Sequence, residues 1–152
     1  MLTKVSAASE TGVLDQYRIA VLLPCHNEEA AIAGVVGAFR AALPAATIYV
    51  YDNNSTDHTI DLAQAAGAVV RTERHQGKGY VVRRMFADVD ADIYVLADGD
   101  ATYDAPSAPA MIARLVAEKL DMMVGARVHR EEAAYRAGHQ TGNRLLTAFV
   151  SN

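Results

Sequence analysis

Short unbroken apolar runs alternate along this chain with stretches whose apolar residues recur every three or four positions. "IAVLLP", Ile19 to Pro24, is a continuous apolar run of the kind found in a parallel strand covered on both faces. In the following "HNEEAAIAGVVGAFRAAL", Ile32, Val35, Val36, Phe39 and Leu43 fall on one helical face. Asn27 is expected to cap that helix, with Glu28 and Glu29 at its positive end. "TIYVY", Thr47 to Tyr51, predicts a second strand, and "NNSTDHTIDLAQAAG" a polar turn and a helix stopped by Gly67. "AVVRT" is a third strand, "GKGYVVRRMFADV" a third helix and "IYVLA" a fourth strand. "SAPAMIARLVAEKL" predicts a fourth helix capped by Ser107, "DMMVGA" a fifth strand, and "HQTGNRLLTAFVSN" a further amphipathic helix.

Strands and helices in this alternation imply βαβ units around a mainly parallel sheet, an α/β fold of three layers. A length of 152 residues suits one such domain, expected over residues 18–152 after a polar lead-in over 1–17. Apolar residues make up 51% and charged residues 21%, ordinary for a globular protein, and the net charge of -4 gives no reason to expect nucleic acid as a partner. A single cysteine, Cys25, excludes an internal disulfide and reads best as a small buried residue at a strand end. No apolar run approaches the ~18 residues of a membrane span, so a cytoplasmic protein is expected.

In an open α/β sheet, ligands bind beyond the carboxyl ends of the strands. The polar residues concentrate there: "PCHNEE" after the first strand, "DNNSTD" after the second, "DGDATYD" after the fourth and "GARVHR" after the fifth. Asp98 and Asp100 flank Gly99, and if the chain stays extended both side chains turn the same way. Two converging carboxylates suit a hard divalent cation, Mg2+ or Mn2+, whose shell water and phosphate oxygens complete. Gly99 is expected to let the backbone approach a bulky ligand closely. There is no G-x-x-x-x-G-K-[ST] loop, no dinucleotide fingerprint after a strand, no H-E-x-x-H pair and no nucleophile elbow. Kinase, dehydrogenase and hydrolase readings weaken accordingly.

Taken together, the edge motifs resemble family 2 glycosyltransferases of the GT-A fold, in particular the branch of dolichyl-phosphate and polyprenyl-phosphate sugar transferases. "LPCHNEEAAI" is similar to that family's P-x-Y-N-E opening, and "VYDNNSTDHT" to its V-D-D-G-S-T-D-G-T turn. "QGKGYVVRRMF" resembles its G-K-G-x-A-x-R helix start, "ADGDATYD" its D-x-D segment, "VGARV" its V-G-S-R, and "GNRLLT" the stretch that follows in the polyprenyl branch. The likeness runs from about Arg18 to the end of the chain.

The resemblance implies a nucleoside diphosphate sugar as donor, with Pro24, His26, Asn27 and Glu28 along the nucleoside and Asp52 and Asn53 at base and ribose. It places Asp98 with Gly99 near ribose and metal, Asp100 as main metal ligand, and Lys78 and Arg127 toward the diphosphate or the acceptor. Three departures stand out: Asn53 replaces an aspartate, His26 a stacking tyrosine, and Thr102 a glutamine often found near the metal. The implied acceptor is a lipid phosphate or a saccharide. A phosphate acceptor is already largely ionised near neutral pH and needs no base, in keeping with the lack of an obvious base after the D-x-D. In-line attack would invert the anomeric centre.

The basic stretch "RTERHQGKGYVVRR" reads as phosphate capture, with attraction to an anionic membrane surface as a further role. The apolar positions of "RLLTAFV" suit core or peripheral membrane contact at its cytoplasmic side. Asn152 falls inside a helical pattern, so an acceptor-side portion is expected beyond it, and a nucleotide-sugar-binding fragment without turnover is the alternative reading.

Overall fold

The structure is a computed structural model of the chain, described here over residues 14–126. Its strands are β1 (Ile19–Cys25), β2 (Thr47–Asp52), β3 (Val69–Thr72) and β4 (Ile93–Leu96). Its helices are α1 (Ile32–Ala42), α2 (Thr59–Ala65), α3 (Lys78–Asp88) and α4 (Ala108–Ala117), the last entered through a 3-10 turn at Ala105–Ser107. All strand pairings are parallel and the order is β3-β2-β1-β4.

β1 is buried along its whole length, and its alternation divides the core. Ile19, Val21, Leu23 and Cys25 pack with Ile32, Val35, Val36 and Phe39 of α1, Ala63 of α2 and Ile112 of α4. Ala20 and Leu22 point the other way, onto Val81 and Met85 of α3 together with Tyr51. The sheet is therefore sandwiched as expected, with α3 alone on its second face among the described residues. After three strands laid in one direction, the chain returns from β3 to the far side of β1, which makes the β1–β4 seam the topological switch point.

Several boundaries differ from the sequence reading. β1 runs through Pro24 to Cys25, and β2 to Asp52. α1 begins only at Ile32; Asn27 has φ 55 and caps nothing, because a turn closed by Glu28 O with Ala31 N and Ile32 N comes first. Ser107 precedes α4 but makes no side-chain cap; its Oγ donates to Asp104 O within the 3-10 turn. Residues 121–126 are irregular, not a strand, and Met122 and Val124 are exposed. The expected final helix lies outside the described residues, as does Arg127.

Candidate functional site

At the carboxyl end of the sheet the seam between β1 and β4 opens. Their pairing ends at Leu22 and Leu96, followed by a last bond from Ala97 N to Leu22 O. By strand alternation residue 24 presents its nitrogen on that same side, and a proline there has no hydrogen to donate. β4 therefore forfeits no bond from Pro24 N where it leaves the ladder, while Cys25 still accepts from Asn53 N on the β2 side. Pro24, expected along the nucleoside, is buried and paired with Tyr51 at the end of β1 where the crevice opens.

The loops after β1 and β2 are laced together. Asn27 N donates to Ser55 Oγ, and its Oδ1 accepts from Thr56 N, both at 2.8 Å. Glu28 N donates to the hydroxyl of the fully buried Thr59, which donates in turn to Asp57. Asp57 also accepts from Glu29 N, and Glu29 from His58 N. Although desolvation opposes it, the hydrogen bonds from Thr59 and Glu29 hold the Asp57 carboxyl below its usual range. His26 is exposed, with its ring fixed by Nδ1 donating to Asn53 O at 2.9 Å.

Asp52 and Asn53 occupy the interior. Asp52 is 1% exposed and turns its carboxylate to Ser55 N. Asn53 is 5% exposed; Nδ2 donates to Glu73 O and His75 O, and Oδ1 accepts from Gly77 N. Asp52 and Asn53, expected at base and ribose, are built into the floor beneath the strand tips, where their polar atoms satisfy backbone groups of the adjoining loops. Asn54, at φ 64, continues the lacing through Nδ2 to Arg74 O and Gln76 Oε1. A left-handed backbone is what asparagine tolerates and glycine prefers. Glu73 accepts from the backbone and ring of His75, which lower its carboxyl.

The D-x-D segment is a turn, not an extended strand. Ala101 has φ 61, and Asp100 Oδ1 accepts from Thr102 N and Oγ1, which turns Asp100 into an exposed, locally braced carboxylate. Asp98 accepts from Lys78 Nζ at 2.5 Å, so the first residue of α3 meets the tip of β4 across the opened seam. Gly99 is buried, and a Cβ there would overlap Cys25 Sγ. Its missing side chain lets the β1 and β4 tips pack closely.

Asp98 and Asp100 both act on the same two neighbours. Burial, then Glu28, Asp52, Asp98 and Asp100, push the Cys25 thiol up to about 12, so this cysteine is an inert wedge. Partial burial first, then Asp100, Asp57 and Asp98, raise the Glu28 carboxyl, against a smaller opposing effect of His26. Glu28, Asp98 and Asp100 thus form one field of negative charge with Lys78 at its rim. No cluster of three or more His, Cys, Asp or Glu side chains is arranged to hold a metal by itself among the described residues. A two-carboxylate, all-oxygen donor set is nevertheless what a magnesium-type ion takes from a protein when phosphate supplies the rest.

The basic stretch divides. Arg71 lies over the Tyr49 ring and contacts Tyr51 OH and Asp88, and Arg84 pairs with Asp88 at 2.7 Å. Arg71 braces α3 against the sheet, Arg84 holds Asp88 within the helix, and Lys78 reaches Asp98 at the seam. Thr59, Ser55, Asp57 and Glu73 were not singled out from sequence; the dense polar run 52–59 is the one signal that marked the first three.

Residues 20–150 match the family described as Glycosyl transferase family 2. Protein RfbJ of Shigella flexneri is 54% identical over 125 residues, 82% of this chain and 97% of that protein. Glycosyltransferase AglJ of Haloferax volcanii is 35% identical over 137 residues, 87% of this chain but 45% of AglJ. Among solved structures, glucosyl-3-phosphoglycerate synthase of Mycobacterium tuberculosis, in complex with Mn2+, UDP and glucosyl-3-phosphoglycerate, superposes with TM-score 0.64 at 26% identity, covering 97% of this chain and 56% of that one. The chain thus spans nearly all of RfbJ but about half or less of the other two. The parallel sheet, the acidic turn at its switch point and these likenesses agree: the chain belongs to glycosyl transferase family 2 and has the GT-A fold.

Proposed function

We propose that this chain binds a nucleoside diphosphate sugar in the β1–β4 crevice and transfers the sugar with inversion to a polyprenyl phosphate or similar acceptor. The observation that carries this reading is the Lys78–Asp98 pair at the switch point of a family 2 sheet, with Asp98 and Asp100 both acting on Glu28. Exposed His26, Asn27 and half-buried Glu28 border the nucleoside, and Asp98 and Asp100 would hold Mg2+ or Mn2+. When bound, such a cation neutralises the charge growing on the departing diphosphate. Lys78 adds a charge-assisted hydrogen bond to the same phosphates once it releases Asp98, and the family resemblance implies a like role for Arg127, which lies outside the described residues. An acceptor phosphate oxygen attacks the anomeric carbon as the carbon–oxygen bond to the donor phosphate breaks, and the bonding pair leaves with the nucleoside diphosphate. The acceptor oxygen carries no proton to remove, so Glu28 need not serve as a base. The solved relative lends support, since its complexes contain Mn2+ with UDP-glucose and Mg2+ with UDP.

The test is a thermal-shift screen of UDP-, GDP- and dTDP-sugars with Mg2+, Mn2+ or EDTA, followed by transfer assays with polyprenyl phosphate and with saccharides. A cation-dependent shift abolished by Asp100→Ala in a protein that still melts cooperatively is expected. Equal nucleotide affinity with and without cation would remove the assignment, and binding without product would leave a donor-binding module.

A further inference from the structure

We infer that Asn53 is a positioning residue: it fixes the start of α3 so that Lys78 is presented to the diphosphate, and it takes no part in reading the base. The inference rests on the proposed donor site and deepens it. Three strand tips meet on this one residue. Its backbone N donates to Cys25 O and its carbonyl accepts from His26 Nδ1, which ties it to β1. Its amide nitrogen donates to the carbonyls of Glu73 at 2.7 Å and His75 at 2.8 Å, which ties it to the loop leaving β3. Its amide oxygen accepts from Gly77 N at 2.8 Å, and Gly77 is the residue immediately before α3.

Gly77 has φ 130, and Lys78 follows as the first helical residue with its ammonium on Asp98. The direction of Lys78 is therefore set by a loop of which Asn53 holds three backbone groups. Both N–H donors of the amide are engaged, its oxygen accepts from Gly77 N, and the residue is 5% exposed, so the side chain is committed to the loop and turned away from a nucleobase. The chemistry also explains why an amide stands where the family pattern has a carboxylate. An aspartate keeps the bond to Gly77 N but sets its second oxygen against the Glu73 and His75 carbonyls, with no proton to offer either. In this chain the loop between β3 and α3 is matched to an amide, and base selection belongs to the exposed rim around His26.

Asn53→Asp, Asn53→Ser, Lys78→Met and the Asn53→Ser/Lys78→Met double variant test this by amide hydrogen exchange and by calorimetric titration with UDP, GDP, uridine and guanosine. Exchange at residues 75–78 should rise at least about tenfold in Asn53→Ser while β1 amides stay protected. Affinity for the preferred diphosphate should fall about tenfold, with nucleoside affinity and base preference unchanged, and the Asn53 change should have little further effect in the Lys78→Met background. Unchanged exchange at residues 75–78, an equal loss for nucleoside and diphosphate, altered base preference, or additive effects with Lys78→Met each overturn the inference. If Asn53→Asp does not fold, the uncharged Asn53→Ser carries the test. If the unsubstituted protein binds neither UDP nor GDP, the donor-site proposal fails, and exchange at residues 75–78 alone still decides whether Asn53 holds the loop.

Discussion

Glu28 is a half-buried carboxyl raised by its own burial and by three aspartates, with no hydrogen bond to its side chain among the described residues. A raised folded-state pKa means that stability is present at low pH and is lost as pH climbs through it. Glu28→Gln should therefore raise the melting temperature at pH 7 without added cation, by roughly 1–3 °C, and Mn2+ should narrow the gap. Asp57 and Glu73 behave oppositely. Hydrogen bonds from Thr59 and Glu29 lower the first from its ordinary 3.8, and those from His75 lower the second from 4.5. Their stabilisation is complete above those values and disappears as pH falls through the folded ones. Thermal melts should accordingly lose stability below about pH 4, and Asp57→Asn should be less stable at pH 7 but flatter in acid. A melt in which Asp57→Asn tracks the parent at every pH would remove Asp57 from the lacing.

The elements were legible where burial imposed a period and illegible where partners came from other loops. β1 announced itself because every one of its residues is covered, and α1 because its buried face repeats at three and four. Asn27 was misread because a helix cap and a left-handed loop asparagine look alike in sequence; what separates them is Ser55 and Thr56, 28 and 29 residues away. "DMMVGA" carries strand-forming residues, yet a strand exists only when a neighbour supplies the ladder, and β4 pairs only with β1 among the described residues. The acidic turn was found by its residues and misjudged in its backbone, since Thr102 bends it through Asp100. At this scale Gly99 joins two strand tips. Gly99→Ala should destabilise the fold by about 1–3 kcal/mol through the clash with Cys25, and Cys25→Ala should recover part of that loss. Additive losses in chemical denaturation of the double variant would show that the contact is not shared.

Across the molecule, one seam carries two contrasting ends. Where β1 begins, Arg18 grips Asp92 through its backbone N, Nε and Nη2, and Asp90 through Nη1. Asp92 N and Ile93 N return bonds to Arg18 O. Where β1 ends, Pro24 offers β4 no N–H. Arg18→Met, which removes the exposed fork but keeps the backbone bonds, should barely change stability and leave donor binding intact, because exposed ion pairs contribute little. A large loss of nucleotide affinity in that variant would show that the far clamp sets the width of the crevice. The sheet is thus riveted like a clothes peg, tight at the spring and parted at the jaws. Evolution can reshape what the jaws hold by editing the loops at their tips, while the spring and the strands behind it stay as they are.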